Sequence, residues 1–241
     1  MFEPPYAAAD RFESQLRELG HVVISPATVQ RAFGVTAAEL AALQPFWGEL
    51  PPDGYLRDGG RYRFRRHSCF VAEGSRLSQV EHRAHWQPLD YNALHGGIER
   101  WFEPMRPEAV ALPAWQALLT GLSRVASAIK GEQPWFIEAH QFRIDTTDGI
   151  GRPTPEGAHR DGVDFVAVFM IERSGIKGGE SRVFEARGPQ GQRFTMSAPW
   201  TLLLLDDERM IHETTPIQPA AEHGHRDTLV LTLRAGGFQG P

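Results

Sequence analysis

Two polar side chains stand one residue apart ahead of a long apolar run: His159 and Asp161 in "HRDGVDFVAVFMI". In extended chain, side chains two apart project from one face, so this pair can grip a single ion. A third donor is needed, and His212 in "DDERMIHETTPI" offers it from the start of another strand-like segment that Pro216 keeps short. Two histidines and one carboxylate on one face leave further coordination positions open. That is the ligand set of non-haem Fe(II) centres, which must admit oxygen and a co-substrate. Zinc accepts the same three ligands, so residue type alone leaves the metal open. His212 taken singly would equally suit a packed core position. Fourteen residues beyond it, Arg226 stands at the mouth of the apolar run "TLVLTL", with Thr228 on its face. A guanidinium entering a buried strand is costly unless it meets an anion. Its planar fork suits a carboxylate held through two hydrogen bonds, and a neighbouring hydroxyl adds another. An internal ion pair with Asp227 or Glu213 would satisfy it too.

Such residues need a rigid frame. From about residue 134 the chain alternates short β-branched and aromatic runs ("PWFIEAHQFRID", "DFVAVFMIER", "WTLLLLDD", "DTLVLTLR") with turn signals ("TTDGIGRPTPEG", "SGIKGGE", "GPQGQ"). Short strands at close spacing predict a β-sandwich or barrel. The first half differs. Helical spacing covers 9–20, "HVVISP" reads as a strand stopped by Pro26, and a helix is expected over 36–48 behind a Thr36–Glu39 capping box. A further helix over 112–130 buries Trp115, Leu118, Leu119, Leu122, Val125 and Ile129. The expected fold class is α+β with a mainly β core. With no repeat and no linker, residues 1–241 read as one domain: 1–133 mostly helical support plus substrate-side strands, 134–234 the β core.

Composition narrows the function. Lys and Arg number 25 against 30 Asp and Glu, a net charge of −5, so no basic field exists to grip nucleic acid. Cys69 is the single cysteine, which rules out an internal disulfide and a cysteine-built zinc site. Residues 1–20 lack a basic stretch followed by an apolar core, and the longest apolar run, "WTLLLL", is too short for a membrane span. A cytoplasmic protein acting on a small molecule is expected.

The order His-x-Asp, His, Arg-x-Thr, with the Gly-Gly hairpin of "KGGESRVFEA" between the ligand segments, resembles the Fe(II)- and 2-oxoglutarate-dependent dioxygenases. "GGRYRFRRHSCF", "QPLDYNALHGGIERWF", "EAHQFRID" and "HRDGVDF" look like the bacterial branch that contains the L-isoleucine 4-hydroxylases. The resemblance covers roughly residues 50–234. It implies a double-stranded β-helix (jelly roll) with supporting helices, and Fe(II), 2-oxoglutarate and O2 as the reacting set. By that resemblance His159, Asp161 and His212 bind Fe(II), while Arg226, assisted by Thr228, binds the distal carboxylate of 2-oxoglutarate. The implied reaction hydroxylates an unactivated C–H bond of a free L-amino acid or similar metabolite and releases succinate and CO2. Desaturation or cyclisation uses the same cofactors. Related halogenases lack the carboxylate ligand, so Asp161 disfavours halogenation.

An amino acid presents a carboxylate and an ammonium, so cations and an acid are expected beside the metal. "RYRFRR" alternates Arg61, Arg63 and Arg65 against aromatics, either lining the pocket, with Arg63 as candidate, or guarding an exposed edge. In "EAHQFRID", Gln141 and Arg143 share a face and are expected to border the metal, with His140 and Phe142 facing away. Asp164 reaches an ammonium only if the chain bends after Gly162. His67, His82, His85, His95, His223 and His225 have no ligand spacing and are expected on the surface or in packing. Arg100 is expected to be structural, Arg160 to face solvent, and Trp101, Trp115, Trp135 and Trp200 to be core. Two other classes compete. A zinc hydrolase needs a general base, yet Glu213 points away from the metal on a strand and Arg226 stays unexplained. A non-catalytic β-barrel binding small ligands predicts no oxygen-dependent turnover.

Overall fold

The computed structural model describes residues 2–92, 94 and 96–241. Helix α1 (Phe12–Leu19) ends at Gly20 and leads into strand β1 (His21–Ile24). Pro26 does more than stop that strand. The Ser25 hydroxyl accepts from the Thr28 N–H and Pro26 fills the first turn, so a helix not expected from the sequence, α2 (Pro26–Phe33), begins there. The helix expected over 36–48 is broken instead. Its capping box forms, but α3 covers only Ala37–Ala41, and a 3-10 turn over Gln44–Trp47 comes after it. Pro45 has no N–H with which to continue an α-helix. After β2 (Arg63–Glu73) and β3 (Arg76–Gln79) come α4 (Pro107–Val110) and α5 (Pro113–Lys130). On α5, Gly121 leaves room for the ring of Phe33, which any Cβ would strike.

The remaining strands are β4 (Trp135–Asp145), β5 (Phe165–Ser174), β6 (Ile176–Gly178), β7 (Ser181–Glu185), β8 (Gly191–Phe194), β9 (Leu202–Asp206), β10 (Met210–Thr214), β11 (Ile217–Pro219) and β12 (His225–Ala235). They form a seven-stranded sheet in the order β1-β9-β5-β12-β4-β2-β3 and two smaller ones, β10-β7-β8 and β11-β6. The pairing is antiparallel, with β12 running its full length along β4. Period-two alternation sorts the side chains. Phe165, Ala167, Phe169 and Ile171 of β5 join the helix-side core, whereas Val166, Val168 and Met170 meet Val183, Phe194 and Met210 from the three-stranded sheet. A strand buried on both faces reads as an unbroken apolar run, which is why "FVAVFMI" carries no alternation. The result is a mostly antiparallel β core with few helices, consistent with a jelly roll.

At one end of the interior face the apolar lining gives way to charge. Across the sheet, Arg63 pairs with Ile144 and Ile144 with Arg226; one row on, Arg65, Phe142 and Thr228 align. Trp115, Trp135 and Trp200 are buried as expected, but Trp101 is 52% exposed and belongs to the surface. Among the described residues no helix is long and apolar enough to cross a membrane.

Candidate metal and co-substrate site

His159 and His212 are brought together by the backbone. His159 N–H donates to the His212 carbonyl at 3.0 Å, and His212 N–H returns the bond at 2.9 Å. Their rings lie 4.6 Å apart between centroids. Asp161 is aimed by the turn on its C-terminal side. The buried Asp207 carboxylate accepts from the backbone N–H groups of Asp161, Gly162 and Val163 at 2.8–3.1 Å. Gly162, at φ 77°, takes a left-handed turn against the Tyr91 ring, where a Cβ would collide. The outcome is that Asp161 Oδ2 lies 3.7 Å from His212 Nε2, and Oδ1 lies 3.9 Å from His159 Nε2. One ligand atom from each of the three falls within 4.8 Å of the others.

The protonation pattern suits a cation. His159 donates Nδ1–H to the Gly157 carbonyl at 2.9 Å, so Nε2 is the nitrogen that can give up its proton to a metal. Burial works against the charged form of His159, yet the Asp161 and Glu156 carboxylates outweigh it and raise its pKa. Burial, with the His159 charge, holds His212 well below the usual histidine range and therefore neutral. Burial and the charge of Asp161 push Asp207 up to about 7, against the backbone donors that favour its ionised form. Asp161 Oδ1 also accepts from Gln87 Nε2 at 2.9 Å. Gln87 Oε1 in turn accepts from Arg100 Nη2 at 2.8 Å and Asn92 Nδ2 at 3.1 Å. Neither Gln87 nor Asp207 was foreseen, because no spacing links them to the His-x-Asp pair.

Arg226 and Thr228 line the cavity that the three ligand candidates also line. Arg226 is 3% exposed, and among the described residues its Nε and Nη2 have no hydrogen-bond partner. Both internal partners weighed from the sequence are engaged elsewhere. Asp227, on the opposite face of β12, is held by Arg143 Nε and Nη2 at 2.8 and 2.6 Å. Glu213 accepts from Arg182 Nη1 at 3.1 Å, so it points away from the ligand cluster. Burial foremost, then the neighbouring Arg173, lowers the Arg226 pKa to about 10, and it stays cationic at neutral pH. A buried guanidinium with free donors in a shared cavity fits an incoming carboxylate.

Several substrate-side expectations need correction. Gln141 and Arg143 sit on the other face of β4, away from the cavity. Gln141 is buried with neither side-chain atom hydrogen-bonded, and Arg143 is spent on Asp227. His140 and Phe142 line the cavity in their place. The chain does bend at Gly162, but Asp164 turns to Lys130 Nζ at 2.9 Å and accepts from the Ala235 N–H, outside the cavity. Arg61 is exposed and pairs with Asp148, whereas Arg63 and Arg65 are buried and line the cavity. Arg100 is buried at the cavity rather than at a helix start, in a two-way backbone bridge with His85. His67 and His85 are buried around Glu138; His82 bonds the Phe102 carbonyl, His225 lies 3.2 Å from Glu172, and His223 is exposed. His95 lies outside the described residues. Arg160 faces outward over the Tyr91 ring as expected.

The crystal structure of a bsmA homolog from Methylobium petroleophilum is 52% identical and superimposes with a TM-score of 0.93, covering 99% of this chain and 98% of that one. IDO from Bacillus thuringiensis shares the fold at 16% identity (TM-score 0.76, 98% and 100% covered). So does the Fe(II)/(alpha)ketoglutarate-dependent dioxygenase TqaL at 20% (TM-score 0.73, 94% and 87%). No curated protein matches the chain. The sequence model of the 2OG-Fe dioxygenase family matches residues 44–232, a span that includes the three clustered ligand candidates and Arg226. Matched over most of its length, the chain belongs to the 2OG-Fe dioxygenase family.

Proposed function

We propose that the protein hydroxylates an unactivated C–H bond of a free L-amino acid or a similar small metabolite, converting 2-oxoglutarate to succinate and CO2. As a 2OG-Fe oxygenase it uses Fe(II), 2-oxoglutarate and O2. In this reading His159, Asp161 and His212 hold Fe(II), which supplies the oxidising chemistry when bound. Arg226 takes the distal carboxylate of 2-oxoglutarate with Thr228 beside it, and Arg63 belongs to the substrate wall. The frame is read as a double-stranded β-helix within one domain over 1–241, and the enzyme as cytoplasmic. The observation that carries the reading is the partnerless, buried Arg226 guanidinium in the cavity of the His159, Asp161 and His212 cluster. The amino-acid substrate rests on the likeness of "HRDGVDF" and its companion motifs to the L-isoleucine 4-hydroxylases.

The protein's own groups prepare the chemistry. Asp207 and Gln87 fix the direction of Asp161, the Gly157 carbonyl holds the Nδ1–H of His159, and Val168 and Val230 give the cavity an apolar wall. Anaerobic addition of Fe(II) and 2-oxoglutarate is expected to give a weak visible charge-transfer band. Aerobic turnover over free L-amino acids is expected to release succinate and a product heavier by one oxygen. A protein that shows no band, or releases no succinate with any amino acid, does not perform this reaction.

A further inference from the structure

The cavity wall built by β2 and the segment around Arg100 carries an unbalanced charge. Arg63, Arg65 and Arg100 are all buried there, at 6%, 3% and 2% exposure. Two carboxylates answer them. Asp53 lies 2.7 Å from Arg63 Nε and 3.8 Å from Arg65 Nη1. Glu138 accepts instead from His67 Nε2 at 3.0 Å and His85 Nδ1 at 2.6 Å. Burial keeps His67, His85 and His140 neutral, so they add no charge. Three buried guanidiniums against two carboxylates leave one positive charge. Arg100 bears it most plainly: among the described residues no carboxylate lies within 4.0 Å of it, and its Nε has no partner. Arg63 Nη2 and Arg65 Nε are likewise without partners.

The opposite charge is close by. Glu156 lines the same cavity, and its buried Oε2 has no partner, while Oε1 lies 3.6 Å from His159 Nε2. Arg100 is near enough to sense Glu156 electrostatically, yet the two form no ion pair. A buried cation and a half-buried anion held apart with spare hydrogen-bonding atoms call for a ligand that carries both complementary charges at short separation. Phe142, Ile144 and Val168 give the same cavity an apolar wall.

We propose that Arg100, supported by Arg63 and Arg65, binds the carboxylate of an α-amino acid, that Glu156 binds its ammonium, and that an apolar side chain lies against the remaining wall. The site reads its substrate as a zwitterion. This rests on the function proposed above, in which 2-oxoglutarate takes the Arg226 end. Arg100 and Glu156 touch substrate; Gln87, which bonds both Arg100 and Asp161, connects that contact to the metal side.

The test uses the anaerobic enzyme loaded with Fe(II) and 2-oxoglutarate, reading the shift of its charge-transfer band. The probes are the twenty proteinogenic L-amino acids, each with its decarboxylated amine and its des-amino acid. At least one apolar L-amino acid is expected to shift the band, with its amine and its des-amino acid each about 100-fold weaker, since each loses one charged hydrogen-bonded contact. Glu156→Gln is expected to weaken the amino acid about 30-fold while leaving the des-amino acid unchanged and one equivalent of Fe(II) still bound. Arg100→Lys, which keeps the charge, is expected to lose less than Arg100→Gln. Equal binding of amine or des-amino acid by the unaltered enzyme overturns the proposal, even if the variants fail to fold. So does a Glu156→Gln enzyme that has lost Fe(II), which would make Glu156 a ligand, and so does a band that no amino acid shifts. Absence of the band itself would instead defeat the proposed oxygenase function.

Discussion

Among the described residues two clusters of histidine and carboxylate border the cavity, apart from a third on the outer side at Glu172, His225 and Asp227, and the two differ in where their protons sit. His159, Asp161 and His212 form one; His67, His85, His140 and Glu138 form the other, more deeply buried. In the second, Glu138 accepts from His67 Nε2 and His85 Nδ1, and Arg65 Nη2 donates to His140 Nδ1 at 2.6 Å. That last bond puts the His140 proton on Nε2, the atom 3.9 Å from Glu138. Every imidazole nitrogen facing Glu138 thus carries hydrogen, and none offers a lone pair to a metal. In the first cluster, the Gly157 carbonyl accepts from His159 Nδ1–H, so Nε2, which faces Asp161, is the nitrogen that can be freed for a metal. Ligand types and proximity are alike; what differs is whether the hydrogen-bearing nitrogen is the one that faces the carboxylate. One cluster has donor atoms that can be freed for a cation, and the other is a hydrogen-bond hub around Glu138 on the Arg65 side of the cavity.

The largest contrast comes from truncation. His159→Ala or Asp161→Ala is expected to abolish both stoichiometric Fe(II) binding and succinate formation, measured by anaerobic titration and turnover. His67→Gln is expected to leave Fe(II) stoichiometry at its original value. A second equivalent of tightly bound metal, lost in His67→Gln, would break the distinction.

Stability should respond the other way round. Burial opposes the charge on Glu138, but His85 and the hydrogen bonds from His67 and His85 more than reverse this and hold its pKa below the usual carboxylate range. Glu138→Leu removes the acceptor on which the hub depends and is expected to cost about 3–5 kcal/mol, read by denaturant unfolding. Acid should act on the same hub. Burial lowers His85 to about 4 in the folded protein, whereas the unfolded chain takes up its proton near 6.5. A depressed folded pKa contributes stability above pH 6.5 that is lost as pH falls towards 4, about 3 kcal/mol for this residue. An unfolding free energy that stays flat from pH 7 to 4 would show that these histidines are not held neutral.

Arg226→Ala tests the co-substrate end. Loss of a charge-assisted pair of hydrogen bonds is expected to raise the apparent KM for 2-oxoglutarate about 100-fold, with a much smaller change in the KM of the amino acid. An unchanged KM for 2-oxoglutarate would remove Arg226 from that role.

Legibility in the sequence tracked locality. The triad candidates and Arg226 were readable because strand periodicity places His159 beside Asp161, and because a cation in an apolar strand demands an explanation. β4 was readable as a strand, but its facing was not. Both faces of "WFIEAHQFRID" carry polar residues, so alternation could not tell which side was inward, and Gln141 and Arg143 were assigned to the wrong one. The Glu138 hub joins β2, β4 and the segment around His85, three stretches with no fixed spacing. Pro26 was ambiguous in another way, because proline both stops a strand and starts a helix, and the Ser25 cap decided between them.

The smallest effect probes the connection between the two sides of the cavity. Gln87 spends its amide N–H on Asp161 Oδ1 and its carbonyl on Arg100 and Asn92. Its side-chain hydrogen bonds go to Asp161, Asn92 and Arg100 and not to His159, His212 or Arg226, so its influence on a metal must pass through the orientation of Asp161. Outer hydrogen bonds of this kind are worth about 10- to 100-fold in metal affinity. Asp161 is also fixed through its backbone by Asp207, which places Gln87 at the lower end of that range. Gln87→Leu, close in size but without hydrogen-bonding atoms, is therefore expected to weaken Co(II) binding about 10-fold and to change the visible absorption of the bound ion. The ion alone is enough for this measurement, with no substrate present. Unaltered Co(II) affinity and spectrum in Gln87→Leu would mean that Asp207 alone aims the carboxylate, and that the metal site is indifferent to the wall that faces it.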